Sequence, residues 1–156
     1  MTNKRYLLDS NFLIYALPFK KIDITPESTE KDIKLAALQE QSSQMLGELI
    51  STQAILTITP VIQYELLCDA KSADERHKLE EDLADLGCTM IQVNQYIAEL
   101  AAEIFRTERD NHAPDKKKHK FDILHLATAK YEKLELITCD QKLLKLKKRH
   151  LQEENS

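Results

Sequence analysis

The chain has 156 residues, 42% of them hydrophobic and 31% charged, which excludes a disordered or low-complexity protein and suits one folded domain. A net charge of −4 excludes a protein that coats nucleic acid with a uniformly basic surface, while leaving room for local basic patches. The apolar runs fall far short of a membrane span, so no transmembrane helix is expected.

In chain order, "MTNKRYLLDS" has too short an apolar run for a signal peptide, and "RYLLD" is expected to be a short buried strand. "SNFLIYAL" should follow as a helix, with Ser10 or Asn11 as its cap. Residues 18–32 carry two prolines and many charges and are expected to form a loop or insertion. Between Ile33 and Ile50 the apolar residues Leu35, Leu38, Leu46 and Leu49 recur near helical spacing. "AILTI" is a second strand, and Thr59 followed by Pro60 is a helix start leading into "VIQYELLCDA".

"SADERHKLEEDLADLG" predicts an amphipathic helix closed by Gly87. "CTMIQV" is a third strand, and Asn94 should cap a helix whose apolar face carries Ile97, Leu100, Ala101, Ile104 and Phe105. "NHAPDKKKHK" is a basic loop, "FDILHLATAKYEKL" a helix and "ELITCD" a fourth strand. The final "QKLLKLKKRH" begins as a helix and frays into a polar tail. Strands alternating with helices predict an α/β fold with a parallel sheet covered by helices, as one domain over residues 1–150 and a polar tail over 151–156. Cys68, Cys88 and Cys139 form no CxxC pair and are expected to be buried reduced thiols in a cytoplasmic protein.

Asp9 and Asp140 each stand at the carboxyl end of an apolar strand, where open parallel sheets bind ligands. Glu65 and Asp122 sit within "VIQYELLC" and "KFDILHLA", helices that are otherwise largely apolar. An acid on an apolar face must be paired, protonated or bound to a cation. Taken singly, Asp9 and Asp140 are explained as helix caps, and Glu65 and Asp122 as partners of a lysine or arginine. Taken together, four acids aimed at one sheet edge make a convergent site the simpler account, and their hard oxygens suit Mg²⁺ or Mn²⁺ rather than zinc.

The ordered segments "LLDSNFLIY", "TPVIQYELL", "FDILHLATA" and "LITCDQKLL" resemble the PIN-domain family of metal-dependent ribonucleases, in particular its VapC-type toxins. The resemblance implies a three-layer α/β/α sandwich around a parallel sheet of four to five strands. It implies an acidic pocket of Asp9, Glu65, Asp122 and Asp140 holding one or two Mg²⁺ or Mn²⁺ ions. Thr138 would support the last acid, and Asn11 matches the polar residue that follows the first. The implied activity is hydrolysis of RNA phosphodiesters by a toxin of a type II toxin–antitoxin pair. An antitoxin and a second copy of the chain are the implied protein partners. Residues 18–34 are longer and more polar than compact members carry, and the weakly apolar chain after Leu146 leaves little for a last strand.

Lys116, Lys117, Lys118 and Lys120 precede Asp122 and are expected either to hold substrate phosphates or to form a solvated loop. His125, one helical turn from Asp122, reads first as a packed residue bonded to a neighbour and second as a substrate contact. His112 and His119 match no zinc spacing. The rival readings are a catalytically silent PIN-fold scaffold for RNA or protein, which the presence of all four acids disfavours, and a response-regulator-like domain. The latter would want paired acids at the first strand, where Asp9 stands alone.

Overall fold

Strand β1 (Arg5–Leu8) buries Leu7 and Leu8 on opposite faces, the pattern of a central strand in a covered parallel sheet. The computed structural model describes residues 3–112 and 120–151. Within them β1 pairs in parallel with β2 (Ile55–Ile58) on one side and with β4 (Glu135–Ile137) on the other, and β2 pairs with β3 (Thr89–Met90). The sheet order is β3-β2-β1-β4.

The connections follow that order. From β1 the chain runs through α1 (Ser10–Ala16) and α2 (Glu30–Ser51) to β2, then through α3 (Pro60–Cys68) and α4 (Ala73–Leu86) to β3. It then reverses across the sheet through α5 (Gln95–His112) and α6 (Lys120–Glu132) to β4, and ends in α7 (Gln141–His150). Right-handed crossovers place helices before and after the reversal on opposite faces. Accordingly α1 packs on α2 and α3, while α6 packs on α5 and α7. The result is the expected three-layer α/β/α sandwich, with β1 and β4 flanking the switch point. The core between the layers includes Phe12, Ile62, Leu66, Ile123, Leu126, Leu136 and Leu143, all almost wholly buried.

Several helix signals act as expected. Thr59 caps α3 through Ile62 N, Asn94 Oδ1 accepts from Ile97 N, and Gly87 closes α4 at φ 64°. Four details differ. Asp9, not Ser10 or Asn11, occupies the α1 cap position, yet its side chain makes no capping bond. The second helix starts at Glu30 because Thr29 and Asp32 form a reciprocal capping box, which shortens the expected loop. The loop itself is tied to α2 by Gln39, which accepts from Ile22 N and donates to Lys20 O. The third strand is two exposed residues long, as suits a sheet edge that must not template aggregation. The cysteines are free but not buried: Cys68 is exposed and Cys88 and Cys139 are partly covered. Cys68 ends α3, while Cys88 and Cys139 lie just beyond α4 and β4 and pack against the margin of the core.

The basic C-terminal run is helical and partly committed to internal contacts. Lys147 donates to Glu135 and to Leu136 O, while Arg149 and His150 engage the buried carboxylate of Glu108 on α5. Burial pushes the Glu108 carboxyl up, but hydrogen bonds and charges from Arg149 and His150 outweigh this and hold it below the usual carboxylate range. These contacts dock the far end of α7, the helix whose first end carries Asp140. Because the Glu108 carboxyl is depressed in the folded chain, its contribution is full at neutral pH and fades as pH falls through the acid range. Arg149→Met is expected to cost about 2 kcal/mol at pH 7, a discounted value because Arg149 is partly exposed, or about 4–8 °C in melting temperature. Thermal melts followed by circular dichroism should show the deficit shrinking towards pH 3.

Candidate metal centre at the carboxyl edge of the sheet

Asp9 leaves β1 at the sheet edge, where its N–H extends the ladder to Ile137 O at 2.9 Å. Its side chain is 3% exposed. The carboxylate makes no capping bond to α1 and accepts a hydrogen bond from Thr138 Oγ1 at 2.7 Å. The same Thr138 hydroxyl accepts from the Asp140 backbone N–H at 3.0 Å. One side chain therefore ties together the two acids that end neighbouring strands. Burial pushes the Asp9 carboxyl above its ordinary value, with the Glu65 charge adding to the rise, while the Thr138 bond and His125 moderate it.

Asp140 is both an edge acid and a helix cap. Its Oδ1 accepts from Lys142 N at 2.8 Å and from Leu143 N at 3.2 Å, so the capping explanation available from sequence is met in full. Those bonds are to Oδ1, leaving Oδ2 outside the cap.

Glu65, on α3, meets α6 through His125. His125 is 1% exposed, and its Nε2 lies 2.5 Å from Glu65 Oε1 and 3.9 Å from Asp9 Oδ1. Ser10 Oγ donates to the same Glu65 oxygen at 3.5 Å. The partner of Glu65 is thus a histidine rather than a lysine or arginine, and His125 is the packed, bonded residue of the first sequence reading. Ligand atoms of Asp9, Glu65 and His125 all lie within 4.8 Å of one another.

Asp122 opens α6 one turn before His125 and is partly buried. Its carboxyl is pushed up to about 7 by burial and then by the charges of Asp140, Asp9 and Glu65, with only His125 opposing. Asp122 therefore feels the charges of the other three acids. Asp122 and Asp140 nonetheless stand outside the tightest trio, in which His125 joins Asp9 and Glu65. Mutual repulsion opposes closer approach of four negative charges, and Asp140 has already committed an oxygen to α7.

The donor set fits a hard divalent cation. It is built mainly of carboxylate oxygens, and the cysteine nearest the site, Cys139, has its thiol beside Ser42 with its pKa pushed up by burial. Among the described residues, Asn11 Oδ1 and His125 Nδ1 are buried polar atoms without a partner. Asn11 lies in the first turn of α1, two residues beyond Asp9. Lys120 is exposed at the first position of α6, whereas Lys116, Lys117 and Lys118 lie outside the described residues.

Sequence reasoning named the four acids, Thr138 and Asn11 as candidates, but not the pairing of His125 with Glu65. The signal available was the single turn between Asp122 and His125, which puts them on one face without showing what faces them.

A family model of the PIN domain matches residues 6–149. Among solved structures, the fold is similar to that of a chain in "VapBC2 from Rickettsia felis bound to a DNA fragment from their promoter". The two are 18% identical, with 90% of this chain and 91% of that chain covered and a TM-score of 0.55. At that identity the likeness is one of fold. No curated protein sequence matches the chain.

The shift at Asp122 sets a pH dependence. Its folded value of about 7 exceeds the ordinary 3.8, so the folded chain binds the proton more tightly than the unfolded one. Stability from this group is greatest in acid and declines as pH rises from about 4 through 7. Asp122→Asn removes the burden and is expected to stabilise the chain in EDTA at pH 8 by about 1–2 kcal/mol, or about 2–8 °C. The gain should shrink as the melts are repeated at lower pH. A variant no more stable than the parent at pH 8 would remove Asp122 from the repulsive cluster.

Proposed function

The chain belongs to the PIN-domain family, and from that premise we propose that it is an endoribonuclease dependent on Mg²⁺ or Mn²⁺, acting as the VapC-type toxin of a toxin–antitoxin pair. The observation that carries this reading is the convergence of Asp9, Glu65 and His125, whose ligand atoms lie within 4.8 Å of one another, with the charges of Asp122 and Asp140 beside them. Such a cluster carries more negative charge than the protein neutralises, and a divalent cation restores the balance.

In this reading Asp9, Asp122 and Asp140 would hold the cation, with Glu65 a further ligand or the group beside its bound water. Lewis-acid activation of a water, and neutralisation of charge on the phosphorane and leaving oxygen, are the chemistry that Mg²⁺ or Mn²⁺ supplies there when bound. Glu65 orients the attacking water and takes its proton, with His125 Nε2 on Oε1 fixing the carboxylate. Thr138 keeps the Asp9 oxygens in place and relays the position of one strand end to the other. Asn11, the polar residue two positions beyond Asp9, would support that acid. Lys120, with Lys116, Lys117 and Lys118 upstream, supplies phosphate contacts.

The protein is proposed to act in the cytoplasm as a single domain over residues 1–150. An antitoxin would hold it silent, and a homodimer would be its working form. The VapBC-like fold supports the first of these partners. No helix among the described residues is long and apolar enough to cross a membrane.

Asp9→Asn should reduce cleavage of single-stranded RNA to background while far-ultraviolet circular dichroism stays native. EDTA should abolish cleavage by the parent chain, and Mn²⁺ or Mg²⁺ should restore it; activity that persists through EDTA would falsify the metal-dependent reading. Thr138→Val, which keeps the shape but loses the hydroxyl, is expected to lower metal affinity about 10–100-fold, with Thr138→Ser close to the parent. Calorimetric titration with Mn²⁺ measures both, and equal affinities for Val and Ser would show that the hydroxyl bridge is dispensable.

A further inference from the structure

Tyr64 and Phe121 immediately precede Glu65 and Asp122, and they touch across the gap between α3 and α6. Their ring centroids lie 6.5 Å apart with planes inclined at 72°, an edge-to-face contact. They are also unusually exposed for aromatic rings, at 59% and 48%. Neighbouring helical residues point about 100° apart, so each ring can face water while the acid beside it faces the site. The same two helices are thus joined twice, by Glu65 with His125 at depth and by Tyr64 with Phe121 at the rim.

We propose that Tyr64 and Phe121 form a stacking subsite for an unpaired base of an RNA substrate, adjoining the acidic centre; this rests on the ribonuclease reading above. Three observations support an RNA base. The edge-to-face geometry of the two exposed rings leaves a ring face open. Lys120 stands exposed beside Phe121, offering a cation where the flanking phosphate would run. Two such rings bury at most about 150–250 Å² each, well short of the roughly 800 Å² per partner of a stable protein interface. Because every base has a π-face, the subsite selects unpaired nucleotides rather than one base identity. A duplex, whose bases stack on one another, cannot use it.

The test uses the full chain carrying Asp9→Asn to block cleavage, and an unstructured RNA octamer with a fluorescent 2-aminopurine moved through each position. In that background Tyr64→Ala and Phe121→Ala should each weaken RNA binding about tenfold by fluorescence anisotropy. Both should relieve the quenching of 2-aminopurine at one and the same position. An abasic nucleotide placed there should erase the difference between the variants and their parent, and Tyr64→Phe should bind like the parent. Tyr64→Leu and Phe121→Leu keep apolar bulk without a π-face and should behave like the alanine variants, separating stacking from lost packing. The subsite is overturned if affinities are unchanged, or if the loss is the same on abasic RNA. It is also overturned if the variants lose only self-association in sedimentation, which would mark the rings as a contact between copies of the chain. Failure of the unmutated chain to cleave any RNA would overturn the nuclease reading alone, since the binding assay needs no cleavage.

Discussion

The Thr138 hydroxyl donates to Asp9 and accepts from the backbone of Asp140, so a single group couples the acids at the ends of two neighbouring strands. This coupling is possible because β1 and β4 are adjacent although most of the chain separates them. Their adjacency follows from the reversal of the crossover direction after β3, which opens a crevice at the carboxyl edge between them. The opposed helices then close over that crevice, α3 bringing Glu65 from one layer and α6 bringing Asp122 and His125 from the other.

Energetically the edge is a place where the fold works against itself. Burial raises the carboxyl of Asp9, and burial with like charge pushes that of Asp122 up to about 7. An apolar residue at either position would pack without that cost. Carboxylates kept where they destabilise the folded chain are the signature of a site shaped for a ligand rather than for stability. What compensates is local: a hydroxyl on Asp9, a helix N-terminus on Asp140 and an imidazole on Glu65. Asp122 receives only the opposing charge of His125, and it shows the largest resolved displacement of the four.

The basic C-terminal helix illustrates how poorly charge runs announce their role. Its lysines and arginine form a basic run, yet Lys147, Arg149 and His150 bond to Glu135, Leu136 O and Glu108. They serve the site indirectly, by docking the helix that Asp140 begins. Among the described residues, Lys120 stands exposed at the start of α6, two positions before Asp122.

Much of this was legible in the residues themselves. Apolar runs too short for helices mark the strands, Thr59 with Pro60, Asn94 and Gly87 mark helix ends, and an acid directly after an apolar strand marks the sheet edge. These are local signals, set by backbone sterics and by the helix's own unsatisfied groups, and they need no partner from elsewhere. The capping box of Thr29 and Asp32 was local too, but lay hidden in a segment dominated by prolines and charges. Tertiary structure alone decided what each acid faces. Asp9 stands at a cap position yet bonds to Thr138 far along the chain, Asp140 does cap, and Glu65 finds His125 rather than a lysine. A carboxylate's partners depend on which distant groups the crossovers bring within hydrogen-bond reach, and on how much water the closing helices exclude. Spacing along one strand or helix carries neither quantity.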